Sequence, residues 1–176
     1  MEVYLVRHTT PKVEKGVCYG QSDLDVADSF TDEVQAIARN TPELSQIDAI
    51  YASPLRRCKQ LAQQLTTGFI AFDERLKELN FGDWELRRWN DIPEHEYRDW
   101  GNDYVNVRCP GGESFVDLYQ RVEAFKTELL ATGLKRAVIV THSGVIRAFM
   151  SIAHNTELKD AFSYQLDYGQ VVRVSL

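Results

Sequence analysis

The sequence predicts an α/β fold, a three-layer α/β/α sandwich with a mostly parallel central sheet. Short, apolar, β-rich runs alternate with segments of helical period, and that alternation covers both faces of a parallel sheet with helices. The 176 residues contain no repeat, low-complexity tract or Pro/Gly/Ser linker, so residues 1–176 read as one domain. A chain of this length buries roughly 70% of its unfolded surface, enough for a core without disulfide or metal staples.

The elements follow in order. Val3 to Val6 is the first strand. Phe30 to Arg39 is a helix, with Phe30, Val34 and Ile37 in phase on one face. Ile47 to Ala52 is the second strand. The next helix has Ser53 as N-cap and Pro54 at its first position, with Leu55, Cys58, Leu61 and Leu65 inward. Phe69 to Phe72 is a third strand. Residues 83–112 are rich in Trp, Arg and Asp and lack a clear period, which predicts short helices and loops laid over something else. From Ser114 to Leu130, Phe115, Leu118, Val122, Phe125 and Leu129 make one apolar stripe; Ser114 and Asp117 form a capping box and Gly133 ends the element. Ala137 to Thr141 is a strand, and the helix after His142 carries Val145, Ile146, Phe149 and Met150. Val171 to Leu176 is the last strand.

Composition narrows the function. Lys plus Arg is 20 and Asp plus Glu 26, a formal net charge of −6. Nucleic-acid coats and polybasic membrane surfaces need a cationic footprint, so neither partner is expected. The longest apolar runs, such as Val3-Tyr4-Leu5-Val6, are far short of the about 20 residues of a membrane span. Cys18, Cys58 and Cys109 form no C-x-x-C pair, which fits a reduced cytoplasmic chain.

In parallel sheets, ligands sit beyond the carboxyl ends of the strands. There the sequence places Arg7-His8 after the first strand, Ser53-Pro54-Leu55-Arg56-Arg57 after the second and Thr141-His142-Ser143-Gly144 before a helix. Guanidinium groups match phosphate oxygens, and a helix N-terminus offers free N–H donors to an anion. Arg56 and Arg57 lie in a first helical turn, where cations are disfavoured, so an anionic partner is implied. The plainer alternative is that one points to solvent and the other ties down an acidic loop.

The runs "LVRHTT", "YASPLRRCKQLAQQL", "LKELNFGDWE", "PGGES" and "VTHSGVIR" occur in the order typical of the histidine phosphatase superfamily, which the chain resembles from residue 3 to about residue 150. That resemblance implies the phosphoglycerate-mutase-like fold and a phosphohistidine intermediate. Carried over by position, it makes His8 the nucleophile, Arg7 and Arg57 phosphate clamps, His142 the second pocket histidine and Glu78 the proton donor to the leaving group. Arg57, four residues after Ser53, matches the motif arginine; Arg56 does not. Ser143 joins the substrate-binding set, and Gly20, Gln21, Glu113 and Ser114 are candidates for the pocket rim. The chemistry needs no metal and no cofactor, and its partner is a small anionic phosphate ester.

Three positions depart from the family wording: Thr9 and Leu86 stand where glycine is usual, and Glu14 where asparagine is expected. Other chemistries lack their signatures. No cysteine has an arginine six residues on, and no P-loop, dinucleotide fingerprint or serine-hydrolase elbow occurs. His95 and His154 read as surface residues. Trp84, Trp89 and Trp100 read as core or lid packing, with a substrate mouth as the alternative. The short chain favours hydrolysis over mutase chemistry, and Glu78 favours an alkyl ester over phosphohistidine. The loop "GVCYGQSDLDV" is most similar to α-ribazole-5′-phosphate phosphatases of cobalamin biosynthesis. A broad sugar-phosphate or phosphoglycerate phosphatase and a catalytically silent phosphate-binding domain remain as alternatives.

Overall fold

Five runs become strands: β1 Glu2–Arg7, β2 Ala49–Ala52, β3 Ile70–Phe72, β4 Arg136–Thr141 and β5 Val171–Ser175. The computed structural model describes every residue from Met1 to Leu176. The strands form one sheet in the order β3-β2-β4-β1-β5; the first four run parallel and β5 lies antiparallel along β1. The helices are α1 Phe30–Asn40, α2 Arg56–Leu65, α3 Glu94–Asn102, α4 Phe115–Ala131 and α5 Ser143–His154.

Alternate side chains of a strand point to opposite faces. Tyr4, Val6, Ile50, Ala52, Val138 and Val140 therefore pack with Ile37 of α1 and Cys58 and Leu61 of α2. Val3, Leu5, Ala137 and Ile139 pack on the other face with Leu118, Val122 and Phe125 of α4 and Ile146 and Phe149 of α5. These are the three layers the sequence predicts. Register then builds the site. Val6 lies opposite Val140 and Arg7 opposite Thr141, so His8 and His142, one residue further on each strand, become neighbours. The His8 N–H donates to the Thr141 carbonyl at 3.0 Å, which fixes that alignment.

Most caps follow the sequence. Ser114 and Asp117 form the capping box of α4, and Gly133 beyond its end takes a φ of 71°. Ser53 is a correction: α2 begins at Arg56 with Leu55 as N-cap, and Asp23 accepts the Arg56 backbone N–H at 2.7 Å. The Ser53 hydroxyl is fully buried and hydrogen-bonds His142 instead.

Residues 83–112 form 3-10 turns at Gly82–Trp84 and Trp89–Asp91 followed by α3. Trp84 is fully buried, and Trp89 stacks on Trp100 with ring centroids 6.1 Å apart; Trp84 and Trp100 pack on the core, while Trp89 also lines the cavity that holds His8. Leu86 has φ 65°, the left-handed region that a glycine enters without penalty and a branched residue enters at a cost of about 1–2 kcal/mol. That is the position where the related wording carries glycine. No helix is long and apolar enough to cross a membrane.

Candidate active site

His8 is 2% exposed at the carboxyl end of β1. Its Nδ1–H donates to the Thr9 carbonyl at 2.7 Å, because that oxygen only accepts. Nε2 therefore keeps its lone pair, and the Arg57 Nε–H donates to it at 3.3 Å. Burial, with the Arg57 and Arg7 charges assisting, holds the His8 pKa well below the ordinary histidine value. Hydrogen bonding and electrostatics thus agree on a neutral imidazole whose basic nitrogen is Nε2, where it accepts from Arg57.

His142, the N-cap of α5, lies beside it, with ring centroids 5.1 Å apart. Its Nδ1 faces Arg57 Nη2 at 3.3 Å and its Nε2 faces Ser53 Oγ at 2.8 Å. Arg57 has no acceptor, so Nδ1 accepts and Nε2–H donates to Ser53. Burial is again the main cause, and Arg57 the next, of a pKa held well below the ordinary value.

Arg57 joins the two imidazoles and is fully buried. Its remaining N–H groups donate to the Gly20 carbonyl at 2.6 Å and the Ser22 carbonyl at 2.9 Å. A Cβ at residue 20 would sit 2.0 Å from the Leu79 carbonyl oxygen, so only glycine lets this loop close on the arginine. Arg56 instead faces Asp25 on the surface, the solvent-side alternative for one of the pair.

Glu78 is 8% exposed and accepts from three groups: the Leu79 N–H at 2.9 Å, the Gly144 N–H at 3.1 Å and the Ser143 hydroxyl at 3.2 Å. Two of these lie at the start of α5, where the helix dipole favours an anion. Arg7, His8, Glu78, Ser143 and Gly144 line one cavity of about 180 Å³. Arg57 and His142 do not line it; they lie fully buried behind His8, Arg57 hydrogen-bonding both imidazoles, while Arg7 and Glu78 stand along the wall.

The rim candidates separate. Gly20 binds Arg57, and Gln21 Nε2 donates to the Glu78 carbonyl at 3.1 Å. None of the four, Gly20, Gln21, Glu113 or Ser114, lines the cavity. Glu113 pairs with Arg121 at 3.0 Å and Ser114 caps α4, so both support the wall from behind. Glu14 pairs with Arg88 at the surface. Thr9 is fully buried, with an unpartnered hydroxyl.

Several groups with a part in the site carried no assignment from the sequence. Arg121 donates to the carbonyls of Arg75, Lys77 and Glu78, fixing the segment that carries the acid. Glu85 accepts the backbone N–H groups of Gln21 and Ser22 at 2.8 and 2.6 Å and so shapes the Arg57 loop. Tyr168 lies 4.1 Å over the Arg7 guanidinium and hydrogen-bonds Tyr19 across the mouth. Arg147 also lines the cavity. Glu85 and Arg147 fall inside the quoted runs; Arg121 and Tyr168 lie in segments that offer no local signal.

The buried imidazoles dictate a pH response. A histidine whose folded pKa is depressed binds fewer protons in the native chain than in the unfolded one. Its full stability is therefore present above the unfolded value of about 6.5 and declines as pH falls below it, by up to about 1.4 kcal/mol per pH unit for each group. Urea unfolding of the ligand-free chain is expected to show a clear loss between pH 6.5 and 5.5, smaller in His142→Gln. Equal stability across that interval would refute two buried neutral histidines. Over the same interval kcat/KM should show no inflection at 6.5, since His8 is already neutral.

Comparison with known proteins agrees with this geometry. The family model described as "Histidine phosphatase superfamily (branch 1)" matches residues 3–176. A Hydrogenobacter thermophilus protein named "Putative phosphoserine phosphatase 2" is 25% identical over 99% of this chain and 89% of its own length. The "Adenosylcobalamin/alpha-ribazole phosphatase" of Salmonella typhimurium is 29% identical over 96% of this chain and 87% of its own. The "Probable phosphoglycerate mutase GpmB" of Salmonella choleraesuis is 32% identical over 86% of this chain and 74% of its own. The crystal structure of the α-ribazole phosphatase from Shigella flexneri overlays with a TM-score of 0.90 at 23% identity, covering 100% of this chain and 91% of that one, a likeness of fold. Three relatives bear three different substrate names, while Arg7 and His8 line one cavity and Arg57 and His142 are hydrogen-bonded behind it. The chain belongs to the histidine phosphatase superfamily, branch 1.

Proposed function

We propose that this phosphatase hydrolyses a small phosphate monoester by two in-line displacements through a phosphohistidine on His8. The observation that carries the reading is the His8 tautomer: Nδ1–H is held by the Thr9 carbonyl, so the basic nitrogen is Nε2, which exchanges its hydrogen bond from Arg57 for the attack on phosphorus. In the first step a His8 Nε2–P bond forms as the P–O bond to the alcohol breaks. Arg7, Arg57 and His142 stabilise charge on the equatorial oxygens. His142 acts in this through Arg57: its Nδ1 accepts from the Arg57 Nη2–H and holds the guanidinium in place. Glu78 delivers a proton to the leaving oxygen. In the second step water attacks phosphorus, Glu78 receives the water proton and the P–Nε2 bond breaks. The buried, free Cys18, Cys58 and Cys109 support a reducing, cytoplasmic setting.

Two substrate readings follow. α-Ribazole 5′-phosphate is supported by the loop wording around Gly20 and by the Salmonella typhimurium relative. A smaller ester is favoured by the cavity, whose 180 Å³ falls below the about 300–1,000 Å³ typical of pockets for drug-sized ligands. Steady-state kinetics on α-ribazole 5′-phosphate, phosphoserine, glycerol phosphates and sugar phosphates tests both, and no turnover of any ester or of p-nitrophenyl phosphate would leave only a silent binding domain. Glu78→Gln is expected to slow alkyl phosphates by about 10²–10⁴-fold and p-nitrophenyl phosphate far less, because nitrophenolate leaves without a proton. Equal losses on both would remove Glu78 from the acid role.

A further inference from the structure

Arg147 forms no salt bridge, and the Glu78 carboxylate in the same cavity acts on it only through space. Arg147 lies on α5 one turn beyond Ser143, and residues four apart share a helix face, so it lines the same cavity as Arg7, His8 and Glu78. Of its five donors, one hydrogen-bonds the Tyr164 carbonyl at 3.2 Å. Its Nε is buried with no partner. Arg7 shares this condition, its Nε buried without a partner, and is taken up by the phosphoryl group, whereas the remaining arginines are occupied: Arg57 by two carbonyls and two imidazoles, Arg121 by three carbonyls and Glu113, Arg75 by Asp73 and Glu128. The Arg147 guanidinium is held 4.7 Å over the Phe162 ring, which orients it without satisfying its charge. Burial lowers its pKa, the mark of a cation taken partly out of water. A cation in that condition is costly unless something pairs with it.

The order of groups along the wall says what that something is. His8 and Arg7 take the phosphoryl group, and Glu78, tied to Ser143 and Gly144, stands where the ester oxygen must lie. Arg147 is one turn further along the same helix, on the side of the leaving group. On the phosphatase reading above, we infer that Arg147 binds a carboxylate of the leaving alcohol, so that the enzyme acts on small phosphorylated hydroxy or amino acids. The small cavity and the aromatic flank of Phe115 and Phe162 fit a leaving group of few atoms with one anionic end. α-Ribazole carries no such end.

Phosphoserine and phosphoethanolamine differ only in the carboxylate, and p-nitrophenyl phosphate reports phosphoryl transfer alone. The wild-type enzyme is expected to favour phosphoserine over phosphoethanolamine in kcat/KM by about 10- to 100-fold, the worth of one charge-assisted pair. Arg147→Met should remove that preference, chiefly through KM, and leave the other two substrates within a few-fold; Arg147→Lys should restore part of it. No wild-type preference for phosphoserine, a higher kcat/KM on α-ribazole 5′-phosphate, or equal losses on all three probes in Arg147→Met would overturn the assignment. The wild-type comparison stands even if the variants fold poorly. Turnover that depends on His8 but ignores the carboxylate defeats this inference alone, whereas turnover independent of His8 defeats the phosphatase mechanism beneath it.

Discussion

His8→Asn is expected to abolish turnover of every phosphate monoester, by at least about 10⁴-fold in kcat, as removal of a covalent nucleophile does. Asparagine fills much of the same space and can still donate to the Thr9 carbonyl, but it presents no basic nitrogen where Nε2 stands. Arg7, Arg57 and His142 remain, so phosphate should still bind, and the fold should survive because the imidazole it loses is neutral and makes no ion pair. Retention of phosphate affinity together with loss of turnover separates a chemical role from a structural one. Activity within tenfold of wild type would mean that water attacks phosphorus directly.

The second large effect concerns Arg57. Arg57→Met removes the donor to both imidazoles and one equatorial clamp, and kcat/KM should fall by about 10³-fold or more. Lysine is no conservative replacement, because a point charge cannot serve four acceptors in a fixed fork. A separate readout distinguishes electrostatics from packing. Arg57 is one of the forces that keep His8 and His142 neutral, so its loss should move both imidazole pKa values upward, towards the ordinary value. Imidazole proton NMR should show this directly, and residual activity should acquire an acid limb nearer pH 6.5. If activity fell while the histidine titrations stayed put, Arg57 would be a packing residue.

The strand ends carried most of the legible information. Apolar runs give the sheet, parallel sheets put ligands at their carboxyl ends, and His8 and His142 follow two central runs. Their adjacency depends on β4 inserting between β1 and β2, which no local pattern states; the order of the family motifs supplied it. Ser53 shows where local rules fail. Serine before proline at a helix start reads as a cap, yet the hydroxyl is drawn to a buried imidazole whose second nitrogen Arg57 occupies. Glu113 and Ser114 read as rim residues because their motif sits beside the pocket in sequence, but one anchors Arg121 and the other a helix. Arg147 drew no reading from the sequence, because Phe162 and Tyr164, which fold over it, come from a distant turn. Long-range contacts of this kind leave no periodicity to read.

The most direct measurement is to quench the enzyme with alkali during the first turnover of p-nitrophenyl phosphate and locate the phosphoryl group by mass spectrometry and phosphorus NMR. The account requires an alkali-stable, acid-labile phosphoryl group on His8, attached at Nε2 because Nδ1–H is held by Thr9, and absent in His8→Asn. A burst of nitrophenol with no phosphoryl group on His8, or with the group on Nδ1 or on another residue, would contradict it.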